Sequence, residues 1–325
     1  MTDGEKIKLE PMDAYDKPNH KASIKKIVDI LGDTNSEKVW SNLHPFLTGI
    51  VLSKINLPAF FYEKIARKAA EQGKDRIIMN CAERSKETGF TLRKRGVAKE
   101  LMLACHHRAA LADFKGTELE TAARRAEQVS RILENELHGG EKLKEIEVDA
   151  RTDPLVASVL TELAAARAVH ALNGEDEDGK VANCATKMLH LEAENQGKSE
   201  SDRVDAAPKE IDTEAKKIGQ KSLVVNSELV SLLPMQNAMR LALQIGSIQK
   251  SPLGEDLRNR LKEVNGMVES RVKVLRELAN GKPRRGLLMY DQIHKTKLNP
   301  VTEVPAHRDE AEEEVNRLEG VQEKA

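Results

Sequence analysis

Residues 57–112 read LPAFFYEKIARKAAEQGKDRIIMNCAERSKETGFTLRKRGVAKELMLACHHRAALA, and this stretch decides the fold. Gly73 and Gly89 divide it into three short helical segments. Pro58 suits the first turn of a helix, where its missing N–H would have no partner anyway. Phe61, Ile65 and Ala69 then share one face at i, i+4 and i+8, and Gly73 is able to take the left-handed conformation that ends a helix. Ile77, Ile78, Cys81, Ala82 and Ser85 repeat the design up to Gly89. A short amphipathic helix cannot bury its stripe alone, so each needs the next as a partner. The expected fold is all-α, with helical hairpin repeats forming an α-solenoid-like array.

Working outward, the same alternation of apolar stripes and stops recurs. Ile24, Ile27, Val28 and Leu31 form a stripe ended by Gly32, and a helix from Ser36 carries Val39, Trp40 and Leu43 before His44 and Pro45 interrupt it. Residues 46–52 are expected as a buried helical turn. Thr117 begins a helix with Leu119, Ala122, Ala126, Val129, Leu133 and Leu137 inward, and Asp153–Pro154 is a strong helix start. Leu223 to Ile245 is expected to be a hairpin turning at Pro234, and Leu253 to Leu278 the longest periodic helix. The organisation read from this is a flexible arm over 1–20, an N-terminal helical-repeat region over 21–191, and a polar linker or loop, or else a polar helix held by its neighbours, over 192–221. A C-terminal helical region over 222–298 and an acidic tail over 299–325 follow.

Composition supports helices and narrows the function classes. Aromatic residues make up only 3% of the 325, which leaves few of the side chains that strands prefer. With 52 basic and 53 acidic residues, the net charge of −1 creates no global field toward nucleic acid or membrane. Nothing approaches the roughly 18-residue apolar run of a membrane span. Cys81, Cys105 and Cys184 lack metal-site spacing and read as free thiols. The acidic start, with Asp3, Glu5, Glu10, Asp13 and Asp16, argues against a mitochondrial presequence and leaves a cytoplasmic location open.

No motif commits the chain to catalysis, a cofactor, a metal or a small-molecule substrate. Cys105, His106 and His107 are adjacent, but neighbours on a helix point about 100° apart and do not converge on one ion. The acidic loop Gly174 to Gly179 lacks an acidic first ligand, and its twelfth position is Ala185, so it does not fit a calcium loop. Gly197–Lys198–Ser199 resembles the end of a phosphate-binding loop but lacks the earlier glycine and the preceding strand. The local basic clusters are the better candidates. Arg93, Lys94, Arg95 and Lys99 lie at the turn into the third helix, Arg124 and Arg125 on the next, and Lys282, Arg284 and Arg285 before Leu287. Gathered on one rim, these nine would meet a phosphate backbone or an acidic partner, and no interleaved aromatics point to base stacking.

Two resemblances sharpen this. With Tyr62 in the first helix, Gly73 at the turn and Gly89–Phe90 at the exit, the span from Pro58 to Thr91 resembles a pentatricopeptide or tetratricopeptide helical pair. The positions that would touch a base carry Lys64 and Lys94, which implies backbone or protein contact over sequence-coded reading. The phrases NLHPFLTGIVLSKINLPAFFYEKIARKAAEQG at 42–73 and GKPRRGLLMYDQI at 281–293 resemble fungal mitochondrial ribosomal small-subunit proteins. That resemblance implies a noncatalytic structural subunit in the mitochondrion, touching neighbouring proteins and ribosomal RNA. A soluble helical-repeat adaptor for a protein partner is the alternative, and an enzyme with scattered catalytic residues a third.

Overall fold

The glycine stops and apolar stripes become a set of helices. The structure, a computed structural model, describes residues 20–94, 96–139, 149–176, 178–195 and 214–295. Among them are fourteen α-helices, one 3-10 turn and no β-strand, so the chain is all-α. α1 (His20–Asp33), α2 (Glu37–Ser41) and α3 (Leu43–Leu52) lead into α4 (Ala59–Glu71), α5 (Asp75–Glu83) and α6 (Ser85–Thr88). α7 (Val97–Leu111) and α8 (Gly116–Leu133) follow, then a 3-10 turn at Ala150–Thr152, α9 (Pro154–Ala171) and α10 (Lys180–Asn195). The last group is α11 (Glu214–Ala242), α12 (Gly246–Gln249), α13 (Pro252–Ala279) and α14 (Arg285–His294).

The opening stretch behaves as its pattern demands. Phe61, Ile65 and Ala69 are wholly buried. Gly73 has φ +67°, with its N–H on Ala70 C=O at 3.2 Å and Lys74 N–H on Ala69 C=O at 2.7 Å, the paired bonds of a Schellman stop. Gly89 closes α6 at φ +66° and packs tightly, since a Cβ there would lie 3.1 Å from Val51 Cγ2. Asp153 caps α9 by accepting from Leu155 N–H at 3.0 Å, with Pro154 in the first turn.

α7 and α9 are buried on nearly all sides and form the centre. α4 and α8 pack on α7, and α8, α10 and α11 pack on α9, while α14 spans α11, α13 and α7. α11 and α13 run antiparallel, tied by Gln236 Nε2 to Asn265 Oδ1 at 2.7 Å and by Arg271 Nε to Glu228 Oε2 at 2.5 Å. One continuous apolar core therefore includes residues of both expected helical regions. Trp40, fully buried between the first helices and α4, donates its indole N–H to Gln72 Oε1 at 2.7 Å. Gln72 in turn holds Gly32 C=O at 2.5 Å.

Several expectations need correction. Pro234 makes no turn: α11 continues unbroken through it for 29 residues and is one residue longer than α13. A proline in a helix interior costs about 3 kcal/mol. Here every residue from Leu233 to Asn237 is buried, and continuing the helix keeps Leu233, Met235, Ala238 and Met239 in the core. α8 ends at Leu133, which leaves Leu137 exposed and not on the buried stripe. The polar stretch 192–221 is helical at both described ends, Glu192–Asn195 within α10 and Glu214–Lys221 within α11, and 196–213, with its Gly197–Lys198–Ser199, lies outside the described residues. Residues 1–19 and 296–325 also lie outside them. Of 46–52, Leu47 is fully buried, but Val51 and Leu52 face solvent, Leu52 with 78% of its surface exposed.

Candidate functional site

The basic turn before α7 is built into the fold. Leu92 N–H donates to His138 Nδ1 at 3.1 Å, and the Arg93 guanidinium donates to Glu136 C=O and to Gly139 C=O, the latter at 2.5 Å. These bonds satisfy carbonyls beyond the end of α8, where a helix leaves its last acceptors without partners. Lys94 Nζ sits 3.7 Å from the centre of the Tyr62 ring, which itself stacks edge-on with Phe61 and Phe90 at 5.7 and 5.3 Å. Arg95 lies outside the described residues.

The remaining candidates divide between internal ion pairs and the surface. Lys99 reaches Asp153 Oδ2 at 3.4 Å, joining α7 to the start of α9. Arg125 donates to the buried carboxylate of Asp75 at 2.5 Å, and Arg108 lies on its other oxygen at 3.5 Å. Arg285 forks onto both oxygens of Glu100 at 2.7 and 3.0 Å and so docks α14 on α7. Arg284 is half-buried, with its Nε enclosed and without a hydrogen-bond partner. Arg124 and Lys282 are exposed. Arg93, Lys94, Lys99, Arg125 and Arg285 are thus engaged within the chain. The sequence shows charge but not the distant acids, rings and carbonyls that claim it.

A buried polar cluster went unread. Glu162 of α9, with no exposed surface, accepts from His106 Nδ1 at 2.7 Å and from Asn237 Nδ2 at 2.7 Å. It joins α7, α9 and α11 at the centre of the molecule. A carboxylate only accepts, so this geometry puts the His106 proton on Nδ1. His106 Nε2 is enclosed without a hydrogen-bond partner, beside the Phe114 ring at 5.8 Å. The three residues lie 56 and 75 positions apart in sequence, beyond any local pattern. A buried, fully paired carboxylate is cut off from substrate, so the cluster specifies helix register and performs no reaction.

The other motifs also have structural explanations. Asp176 of the acidic loop accepts from Val181 N–H and Ala182 N–H, both at 3.0 Å, and so caps α10. Burial pushes the Cys105 and Cys81 thiols up to about 12, far from the reactive thiolate form. Among the described residues no group of three His, Cys, Asp or Glu side chains is placed to hold a metal, and no helix is long and apolar enough to cross a membrane. A cavity of about 50 Å³ beside Leu160, Leu163, Val181 and Cys184 is small against the several hundred Å³ of a small-molecule site.

Ion pairs between distant parts of the chain lock the helices around a sealed polar centre, and the class is that of an all-α helical protein. The family model of the mitochondrial ribosomal protein mS27 matches residues 1–292, and this chain belongs to that family. It is also similar to the small ribosomal subunit protein mS27 of Neurospora crassa, 30% identical over 147 residues, an alignment covering 42% of this chain and 37% of that relative. The chain thus matches well under two thirds of that relative's length. The family is one of mitochondrial structural ribosomal proteins and not of enzymes, in line with the resemblance carried by residues 42–73 and 281–293. It favours neither the soluble adaptor nor a cytoplasmic location.

Proposed function

We propose that this chain is a noncatalytic structural component of the mitochondrial small ribosomal subunit, packed against neighbouring proteins and the ribosomal RNA backbone. The family match over residues 1–292 is the observation that carries this reading. The near-neutral charge and the internal pairing of Lys99, Arg125 and Arg285 favour protein neighbours for most of the surface. Backbone contact with RNA falls to the exposed cations Arg124 on α8 and Lys282 in the turn after α13, with half-buried Arg284 near Lys282. The stacking of α7 on α8, α8 on α9 and α9 on α10 supports a repeat-like array, which α11 and α14 close off on one side.

Gradient sedimentation of a mitochondrial extract tests the assignment. Tagged chain is expected in the small-subunit fractions and, after nuclease treatment that dissolves the particle, in lighter ones. Migration only as a free protein, with intact subunits in the same gradient, overturns it.

A further inference from the structure

Eight large apolar side chains are exposed among the described residues, and four of them, Val51, Leu52, Ile55 and Phe60, fall within ten positions at the α3–α4 connection. Such a concentration is unlike the scattered single exposures normal on a surface and marks a contact site. The backbone beneath is rigid. Lys54 takes the left-handed conformation at φ +54°, its N–H bonds Val51 C=O at 3.0 Å, and Ile55 N–H bonds Ile50 C=O at 3.1 Å. Together these bonds form a Schellman stop that holds Val51, Leu52 and Ile55 in place before any partner arrives.

Within the patch itself the charge is a single cation. From Val51 to Tyr62 the only charged residue is Lys54, which is exposed and in no ion pair among the described residues. Lys64 Nζ lies over the Phe60 ring at 5.3 Å, while α6, which packs on α3, carries both signs, with exposed Lys86 and Glu87 within it and exposed Glu83 and Arg84 just before it. We propose that this face receives an amphipathic helix of a neighbouring protein, apolar on its inner face and carrying an Asp or Glu that meets Lys54; the inference rests on the ribosomal assignment above. The described residues offer no strand edge to which an extended segment could add, and aliphatic Leu52, Val51 and Ile55 neither stack on bases nor bond them, which favours a protein over RNA.

The test places photoreactive benzoyl-phenylalanine at position 52 of the full chain, a position exposed enough to tolerate it, and irradiates assembled small subunits. The expected product joins this chain to one other ribosomal protein, at a peptide with apolar residues at helical spacing and a flanking acid. Lys54→Glu should lower that yield by up to about fivefold, the range of an exposed charge pair. Cross-linking to RNA, to a second copy of this chain, or to a peptide without acidic residues overturns the inference, as does no product from particles that contain the chain. Absence of the chain from the particles instead overturns the ribosomal assignment, and this inference with it.

Discussion

At the scale of single residues, burial converts charge into architecture. Removing Glu162 leaves the His106 N–H and the Asn237 amide buried without an acceptor, so Glu162→Ala should cost about 2–5 kcal/mol in denaturant unfolding. Replacing His106, Glu162 and Asn237 together by apolar residues of similar volume should restore most of that loss, because no buried polar group of the cluster would remain unsatisfied. His138 is one of the histidines that contribute to the pH dependence. Burial lowers its pKa below the usual 6.5, Arg93 adds to this, and a hydrogen bond to the backbone of Ala82 opposes it. The unfolded chain therefore takes up the proton first as pH falls. The contribution of His138 is complete above pH 6.5 and is lost below it, as the ring stops accepting from Leu92 N–H. Thermal unfolding at pH 5.5 should come at lower temperature than at pH 8, and His138→Asn should narrow that gap.

At the scale of elements, the helices with the clearest periodicity were the most legible. α4 was readable because Pro58, three apolar positions one turn apart and Gly73 all say the same thing. α9 was placed by Asp153–Pro154 for the same reason, since its cap bond is local. α11 was misread because proline is a helix breaker by local energetics, and only packing on α9 and α13 outweighs it. Pro234→Ala restores the missing N–H within this helix. It should raise stability by up to about 2 kcal/mol in chemical denaturation, with helix content unchanged. Lower stability would show that α11 depends on a bend at that point.

At the scale of the whole molecule, the distribution of cations separates fold from contact. Arg285 holds α14 against α7 through Glu100, so Arg285→Glu should destabilise the chain and weaken assembly only through folding. Arg124→Glu combined with Lys282→Glu changes two exposed side chains, where any single pairing is worth under about 1 kcal/mol. Unfolding of that variant should match the parent, while its retention in small-subunit fractions should fall, most visibly at raised salt. Unchanged retention would move the RNA contact away from these two positions.

The sequence by itself determined that the chain is helical and where most helices begin and end, because caps, glycine stops and three-to-four-residue apolar spacing act over a turn or two of chain. It also carried the family resemblance, in residues 42–73 and 281–293. Only the tertiary structure decided which charges remain available, which polar groups meet at Glu162, and that Val51, Leu52, Ile55 and Phe60 stay uncovered. Those outcomes depend on partners dozens to nearly two hundred positions away, such as Arg285 on Glu100, and no local pattern encodes which distant side chain will arrive.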